Sequence, residues 1–272
     1  MSLLARDTLI GVVTTSSVAL FVRQGRNLLA LESMDVQPVA GKPAEWPDAL
    51  SALQLLLHVH SRKRAQLTLL ISNQFTRFCL VPWSEHISTP QELEAYALIC
   101  FEDIYGQLDE GWSLRLSPEP AGQARLAAAM TNVLFDQLHS MVAHEGMRLT
   151  SVQPYLMAAF NYFRPALGKD DFVFIVAEPQ RCNVIQAQAG RWVSIRSVTS
   201  DDSDASLSAL IAREHELKVL DQQAFDSVYL HAPARNHKPP RPICGVTIQA
   251  LTLPVEEGKR EDPLLTMAMA AN

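Results

Sequence analysis

The stretch FVFIVAEPQRCNVIQAQAGRWVSIRS, residues 172–197, decides the fold, because its pattern occurs twice in the chain. An apolar run (FVFIVA) ends at Glu178-Pro179-Gln180, a second run (CNVIQA) ends at Gly190-Arg191, and a third follows, which is the signature of a three-strand meander. Residues 8–33 carry the same pattern in different letters: TLIGVV, a turn of four hydroxyl residues Thr14, Thr15, Ser16 and Ser17, then VALFVR, a turn at Gly25-Arg26, and NLLALES. Gly190-Arg191 stands where Gly25-Arg26 stands.

Working outward, each meander is followed by a helix and one more strand. In the first half, Pro47 and Asp48 open a helix with Ala49, Leu50, Leu53, Leu56 and Leu57 at helical spacing, closed by Arg62-Lys63-Arg64 and followed by AQLTLLIS. In the second, Leu207, Leu210, Ile211 and Leu217 mark the helix and SVYLHA the strand. Each half therefore reads strand, strand, strand, helix, strand, and two copies at so long a spacing imply a pseudo-symmetric α/β protein rather than a solenoid. Gly168-Lys169-Asp170 is the expected boundary, giving a first lobe at 1–167 and a second at 168–272. A small α/β subdomain is expected within the first lobe at about 84–150. There Thr89-Pro90-Gln91-Glu92 spells a capping box, and the strands GWSLRLSP and ARLAAAM follow.

Composition excludes several classes. With 272 residues, 48% of them apolar, and a net charge of -6, the chain can bury a large core and is a poor match for nucleic acid. It holds no apolar run of the roughly 18 residues a membrane span needs, so a cytoplasmic protein with no direct membrane insertion is expected. Cys79, Cys100, Cys182 and Cys244 form no C-x-x-C pair and read as buried thiols. Gly-Lys at 41, 168 and 258 is followed by Pro43, Asp170 and Arg260, so there is no P-loop, and neither G-x-S-x-G nor H-E-x-x-H occurs. His58 and His60 fall on different helix faces, and Asp201-Asp202-Ser203-Asp204 precedes a helix, where capping is the simpler role; no metal is expected.

The duplicated meander-helix-strand plan resembles the actin-like superfamily, a ribonuclease H-like fold in which ATP lies between two lobes. More locally, ISNQFTRFCLVPW (71–83), VQPYLMAAFN (152–161), VAEPQRCNV with GRWVSIRS (176–197) and DPLLTMAMA (262–270) resemble PilM-like pilus-assembly proteins and the cytoplasmic part of the type II secretion protein GspL. The resemblance implies a scaffold on the inner-membrane platform of a type IV pilus or secretion system. Its partner would be a bitopic membrane protein whose short cytoplasmic segment docks near the small subdomain; a homodimer is left open. Trp83, Tyr105 and Trp112 are the candidate groove aromatics, with core packing as the alternative for each.

The nucleotide chemistry of the superfamily is missing. Its first phosphate loop carries an Asp, a Gly and a Lys where this chain has Val12, Thr14 and Ala19. The second would need an Asp and a Gly near Val176 and Glu178, beside Pro179, which brings no N–H. In place of the glycine pair that cradles adenosine stands HAPARNHKPPRP, residues 231–242. One charge pair about 4 Å apart is worth about 4 kcal/mol at an effective dielectric near 20, and Val12 and Ala19 contribute none of it. The expectation is a degenerate site, vestigial at Thr14, Thr15, Ser16 and Ser17, with no cofactor and no enzymatic activity. Two readings keep a ligand: a switch that binds ATP with Mg2+ through those hydroxyls and backbone amides, and a small-molecule kinase, which lacks an identifiable general base.

Overall fold

The computed structural model describes residues 8–25, 27–37, 45–107, 109–168, 171–220, 225, 227–235, 245–255 and 262–271. The first meander is formed by β1 (Thr8–Val13), β2 (Ser17–Gln24) and β3 (Asn27–Asp35). Next come α1 (Trp46–His60), β4 (Gln66–Ile71), β5 (Arg77–Val81), α2 (Pro90–Tyr105), β6 (Trp112–Leu116) and β7 (Arg125–Thr131). Then follow α3 (Asn132–His144), β8 (Arg148–Pro154) and α4 (Tyr155–Phe163). The second meander is β9 (Phe172–Glu178), β10 (Arg181–Gln188) and β11 (Arg191–Val198), continued by α5 (Asp204–Leu220), β12 (Ser227–His231), β13 (Thr247–Ala250) and α6 (Pro263–Ala268).

The duplication expected from residues 8–33 and 172–197 is realised strand for strand. One five-stranded sheet has the order β3-β2-β1-β4-β8 and the other β11-β10-β9-β12-β13. In both, the meander is antiparallel and the two later strands join in parallel. The strands after each helix are parallel because a helical crossover returns the chain to the end where the previous strand began.

Both central strands are buried on both faces, as parallel-sheet strands must be. Leu9, Ile10, Val12 and Val13 of β1 are buried, and all seven residues of β9 are. Gly11 sits mid-strand opposite Leu20 and Leu69, and a Cβ there would meet Leu69 Cδ2 at 2.6 Å. The glycine lets these two leucines close over the strand, so even one added methyl would overpack the layer. On the second sheet α5 seats Leu207, Leu210 and Ile211 against Val173, Ile175, Val184 and Val228.

Local signals set the helix ends. Thr89 Oγ1 accepts from Glu92 N at 3.2 Å and Glu92 Oε2 accepts from Thr89 N at 3.0 Å, which is the capping box expected from the sequence. Gly106, at φ 81, closes α2 by donating its N–H to Glu102 O. In the Asp-Asp-Ser-Asp run, Ser203 Oγ accepts from Ser206 N at 3.2 Å and Asp201 Oδ1 accepts from Ser203 N at 3.0 Å, so the run caps α5.

Two compact units are drawn from the described chain. One takes Met1–Thr76, Asn132–Tyr162 and Leu253–Asn272; the other takes Arg77–Thr131 and Phe163–Thr252. These bounds differ from the lobes expected at 1–167 and 168–272. The small antiparallel sheet β5-β7-β6 with α2 groups with the second meander: β5 lies against β11, and Trp192 Nε1 donates to Glu119 Oε1 at 2.7 Å. The subdomain expected at about 84–150 begins earlier, at β5, and ends earlier, because α3 and β8 belong to the first unit. α6 also belongs to the first unit, packing on β1, β2 and β3. Asp262 Oδ1 caps it, accepting from Leu264 N and Leu265 N at 2.9 and 3.1 Å.

Candidate functional site

The resemblance puts the superfamily's phosphate loops at the two meander turns, so the decisive question is where their backbone N–H groups point. In the first, the Thr14 hydroxyl accepts from Ser17 N at 3.0 Å and from Ser16 N at 3.3 Å, and donates to Ser17 O at 2.8 Å. Thr14 N itself donates to Ser17 O at 3.0 Å, and Ser16 O accepts from Val36 N at 2.8 Å. The amides of Thr14, Ser16 and Ser17 are thus engaged inside the turn, an ST-type closure that a threonine at this position favours. Beneath it, Val12 and Ala19 are register partners across the β1–β2 ladder, 0% and 2% exposed. An acid or a lysine at either position would be a buried charge in an apolar layer.

Replacing Thr14 by valine keeps the shape and removes the hydroxyl, leaving both amides without that acceptor. A loss of about 1–2 kcal/mol in urea unfolding is expected. Thr15→Val, on the neighbouring residue, should stay within about 0.5 kcal/mol of the parent.

The second turn is tighter. Glu178 and Arg181 are register partners, with Pro179 and Gln180 between them and Gln180 in the left-handed region at φ 65. Pro179 supplies no N–H. Glu178 is 2% exposed, a buried carboxyl at the end of β9. Arg181 shares this corner with Arg77, whose guanidinium is held below its usual range first by burial and then by the Arg181 charge. Asn183, opposite Val176, is buried and donates Nδ2 to Ser197 Oγ at 2.7 Å. The segment expected to replace the adenosine loop lies, from residue 236 to 244, outside the described residues. At its start, His231 is buried with Nδ1 2.9 Å from Leu251 O.

The three candidate aromatics separate. Tyr105 and Trp112 join Phe101 in one cluster, with centroids 5.1 Å (Phe101–Tyr105), 5.5 Å (Phe101–Trp112) and 6.2 Å (Tyr105–Trp112) apart. Tyr105 also donates its hydroxyl to Phe78 O at 2.6 Å. They pack against the buried group Cys79, Val81, Ala97, Leu114, Ala127 and Ala129. Burial pushes the Cys79 thiol up to about 12, so it stays a neutral packing group. Trp83, just past the end of β5, is exposed.

No cluster of three or more His, Cys, Asp or Glu side chains able to hold a metal occurs among the described residues. His58 and His60 lie against different acids, Glu145 at 3.4 Å and Glu32 at 2.7 Å. Among the described residues no helix is long and apolar enough to cross a membrane.

Two copies of one five-stranded sheet, each a meander with two parallel strands added beyond it, define the actin-like fold. Solved structures share it. The PilM-PilN type IV pilus biogenesis complex aligns over 97% of this chain and 96% of that one, with a TM-score of 0.65 at 14% identity. The cytoplasmic domain of EpsL, an inner-membrane component of the type II secretion system of Vibrio cholerae, aligns over 98% and 96%, with 0.56 at 11% identity. A Bacteroides thetaiotaomicron protein with an actin-like ATPase fold and unknown function aligns over 85% and 83%, with 0.58 at 10% identity. No protein-family model matches the sequence, and no match is found among curated proteins.

Proposed function

We propose that this chain is a non-catalytic scaffold of the inner-membrane platform of a type IV pilus or type II secretion system, working from an actin-like fold whose nucleotide site is degenerate. The observation that carries the loss of nucleotide is the Thr14 hydroxyl, which takes the amides of Ser16 and Ser17 that a phosphate would need. The apolar pair Val12 and Ala19 and the buried Glu178 point the same way, since none of them can balance a polyanion.

The platform role is supported by the full-length likeness to the PilM-PilN complex and to the EpsL cytoplasmic domain. The partner would be a bitopic inner-membrane protein, bound through its short cytoplasmic segment, and the scaffold would lie on the cytoplasmic side. Exposed Trp83 beside the small sheet is an available apolar contact for such a segment.

The test is co-purification from detergent-solubilised membranes of the source cell, with the tagged chain as bait. A bitopic platform protein should be recovered, and a synthetic peptide of its cytoplasmic segment should bind the pure chain and compete it off. Recovery of no such protein, with the folded bait intact, would contradict the scaffold role.

A further inference from the structure

One end of the first sheet carries a charge opposite to that of the whole chain. The registers Arg23–Thr8, Thr8–Gln66 and Gln66–Arg148 set these four residues in one row across β2, β1, β4 and β8. At about 4.8 Å per strand, Arg23 and Arg148 are about 14 Å apart. The loop between α1 and β4 brings Arg62, Lys63 and Arg64 to the same end. It is fastened there by Arg64 N donating to Gly146 O at 2.9 Å and Arg148 N donating to Ala65 O at 2.9 Å.

Arg62, Lys63, Arg64 and Arg148 are all exposed. Arg23 donates Nη2 to Ala271 O, which leaves its charge in place. Of the acids near the end of α1, Glu145 lies against His58 at 3.4 Å and Glu32 against His60 at 2.7 Å. On a chain of net charge -6 these five bases are a local exception.

Dipole complement explains only part of this cluster, because α1 ends at His60 and the dipole's influence fades within the last turn. Two apolar side chains on the outer face of the same helix also remain unexplained. Leu55 is 57% exposed and Val59 is 69% exposed, one turn apart, and Val59 lies three residues from Arg62. The inner face of α1 is already filled by Leu50, Leu53, Leu56 and Leu57, so Leu55 and Val59 are surplus to the core.

We propose that this edge of the first unit, Leu55 and Val59 with Arg62, Lys63, Arg64 and Arg148, is a peripheral docking surface for an anionic lipid bilayer. The cations meet the negative headgroups while the leucine and valine enter the boundary with the acyl chains, the two contributions that together hold an amphipathic surface on a membrane. A nucleic-acid backbone would satisfy the charges and offer nothing to Leu55 and Val59. Because the rest of the chain is acidic, an anionic surface would repel other orientations and present this edge to the membrane. The inference goes beyond the scaffold role and does not depend on which partner the chain binds.

The test is vesicle flotation of the pure full-length chain without any partner. Vesicles of phosphatidylcholine with about one third phosphatidylglycerol should carry the protein up, and pure phosphatidylcholine vesicles should not. Since each cation at the surface raises partitioning about fivefold, the double variant Lys63→Glu/Arg64→Glu should bind at least about 25-fold more weakly. Leu55→Ser/Val59→Ser should weaken binding severalfold, and added salt should weaken that of the parent. Circular dichroism melts matching the parent show that each variant is folded. No flotation with the anionic vesicles, or flotation unchanged in the folded Lys63→Glu/Arg64→Glu variant, would overturn the proposal. So would tighter binding to a short DNA duplex, lost in the same variant. None of these outcomes bears on recovery of a bitopic partner, so the two readings fail separately.

Discussion

Replacing Arg196 by methionine is expected to cost about 3 kcal/mol, the lower end of the range for stripping the partner from a buried carboxylate. Glu214, on α5, is 1% exposed, and its Oε2 accepts from Arg196 Nη2 at 2.7 Å and from Gln186 Nε2 at 2.7 Å. Gln186 is itself buried, and its Oε1 accepts from Ser194 Oγ at 2.8 Å. The arginine is 37% exposed at its side chain, so water already screens part of its charge and the pair as a whole adds little net stability. The loss arises from the carboxylate that stays behind. Accordingly the double variant Arg196→Met/Glu214→Gln should recover a large part of it, which urea denaturation of the single and double variants measures. A single variant within about 1 kcal/mol of the parent would mean that Glu214 is not held as a buried charge.

Phe101→Ala should cost about 3–5 kcal/mol. Phe101, on α2, is 0% exposed against the small sheet, in ring contact with Tyr105 and Trp112 and packed with Cys79, Ala97 and Leu114. One helix and three short strands have few other large side chains with which to refill the space. The loss should appear as a lower denaturation midpoint together with a change in near-ultraviolet circular dichroism, because Trp112 loses its packing partner. Phe101→Leu keeps most of the volume and should cost clearly less. Equal costs for the two substitutions would contradict the packing described.

Much of this architecture is written locally. The meanders announce themselves through alternation of apolar runs with Thr14–Ser17, Gly25, Pro179 and Gly190, and α2 through Thr89 and Glu92, whose reciprocal hydrogen bonds span only three residues. The hydrogen bonds that close the turn at Thr14 are equally local: donor and acceptor are two or three residues apart. What was not legible depends on residues distant in the chain. Trp192 and Glu119 are joined by a hydrogen bond across 73 positions, and β5 meets β11 across about a hundred, so no local pattern places the small sheet with the second meander. β13 was missed because its four residues, TIQA, are half exposed at a sheet edge and carry too little alternation to register. Of the three candidate aromatics, helical and strand periodicity could not separate Tyr105 and Trp112 from Trp83. That separation is made by Phe101, which gathers the first two.

The cationic edge shows a similar limit. Arg62-Lys63-Arg64 is visible as a run, but Arg148 joins it only through parallel pairing of β4 with β8, and Leu55 and Val59 become notable only once the inner face of α1 is seen to be full.

The central proposal is that an actin-like fold here works without a nucleotide, because the first meander turn is closed upon itself and Val12, Ala19 and Glu178 cannot balance a polyanion. Thermal unfolding of the pure chain in millimolar Mg-ATP tests it most directly. A ligand at 100 times its dissociation constant would add about 2.7 kcal/mol, a rise of about 5–10 °C for a chain of this size. The expected result is a midpoint that does not move, in the parent and in Thr14→Val alike. A rise of that size with Mg-ATP, absent with magnesium alone, would contradict the degenerate site and restore the nucleotide to the mechanism.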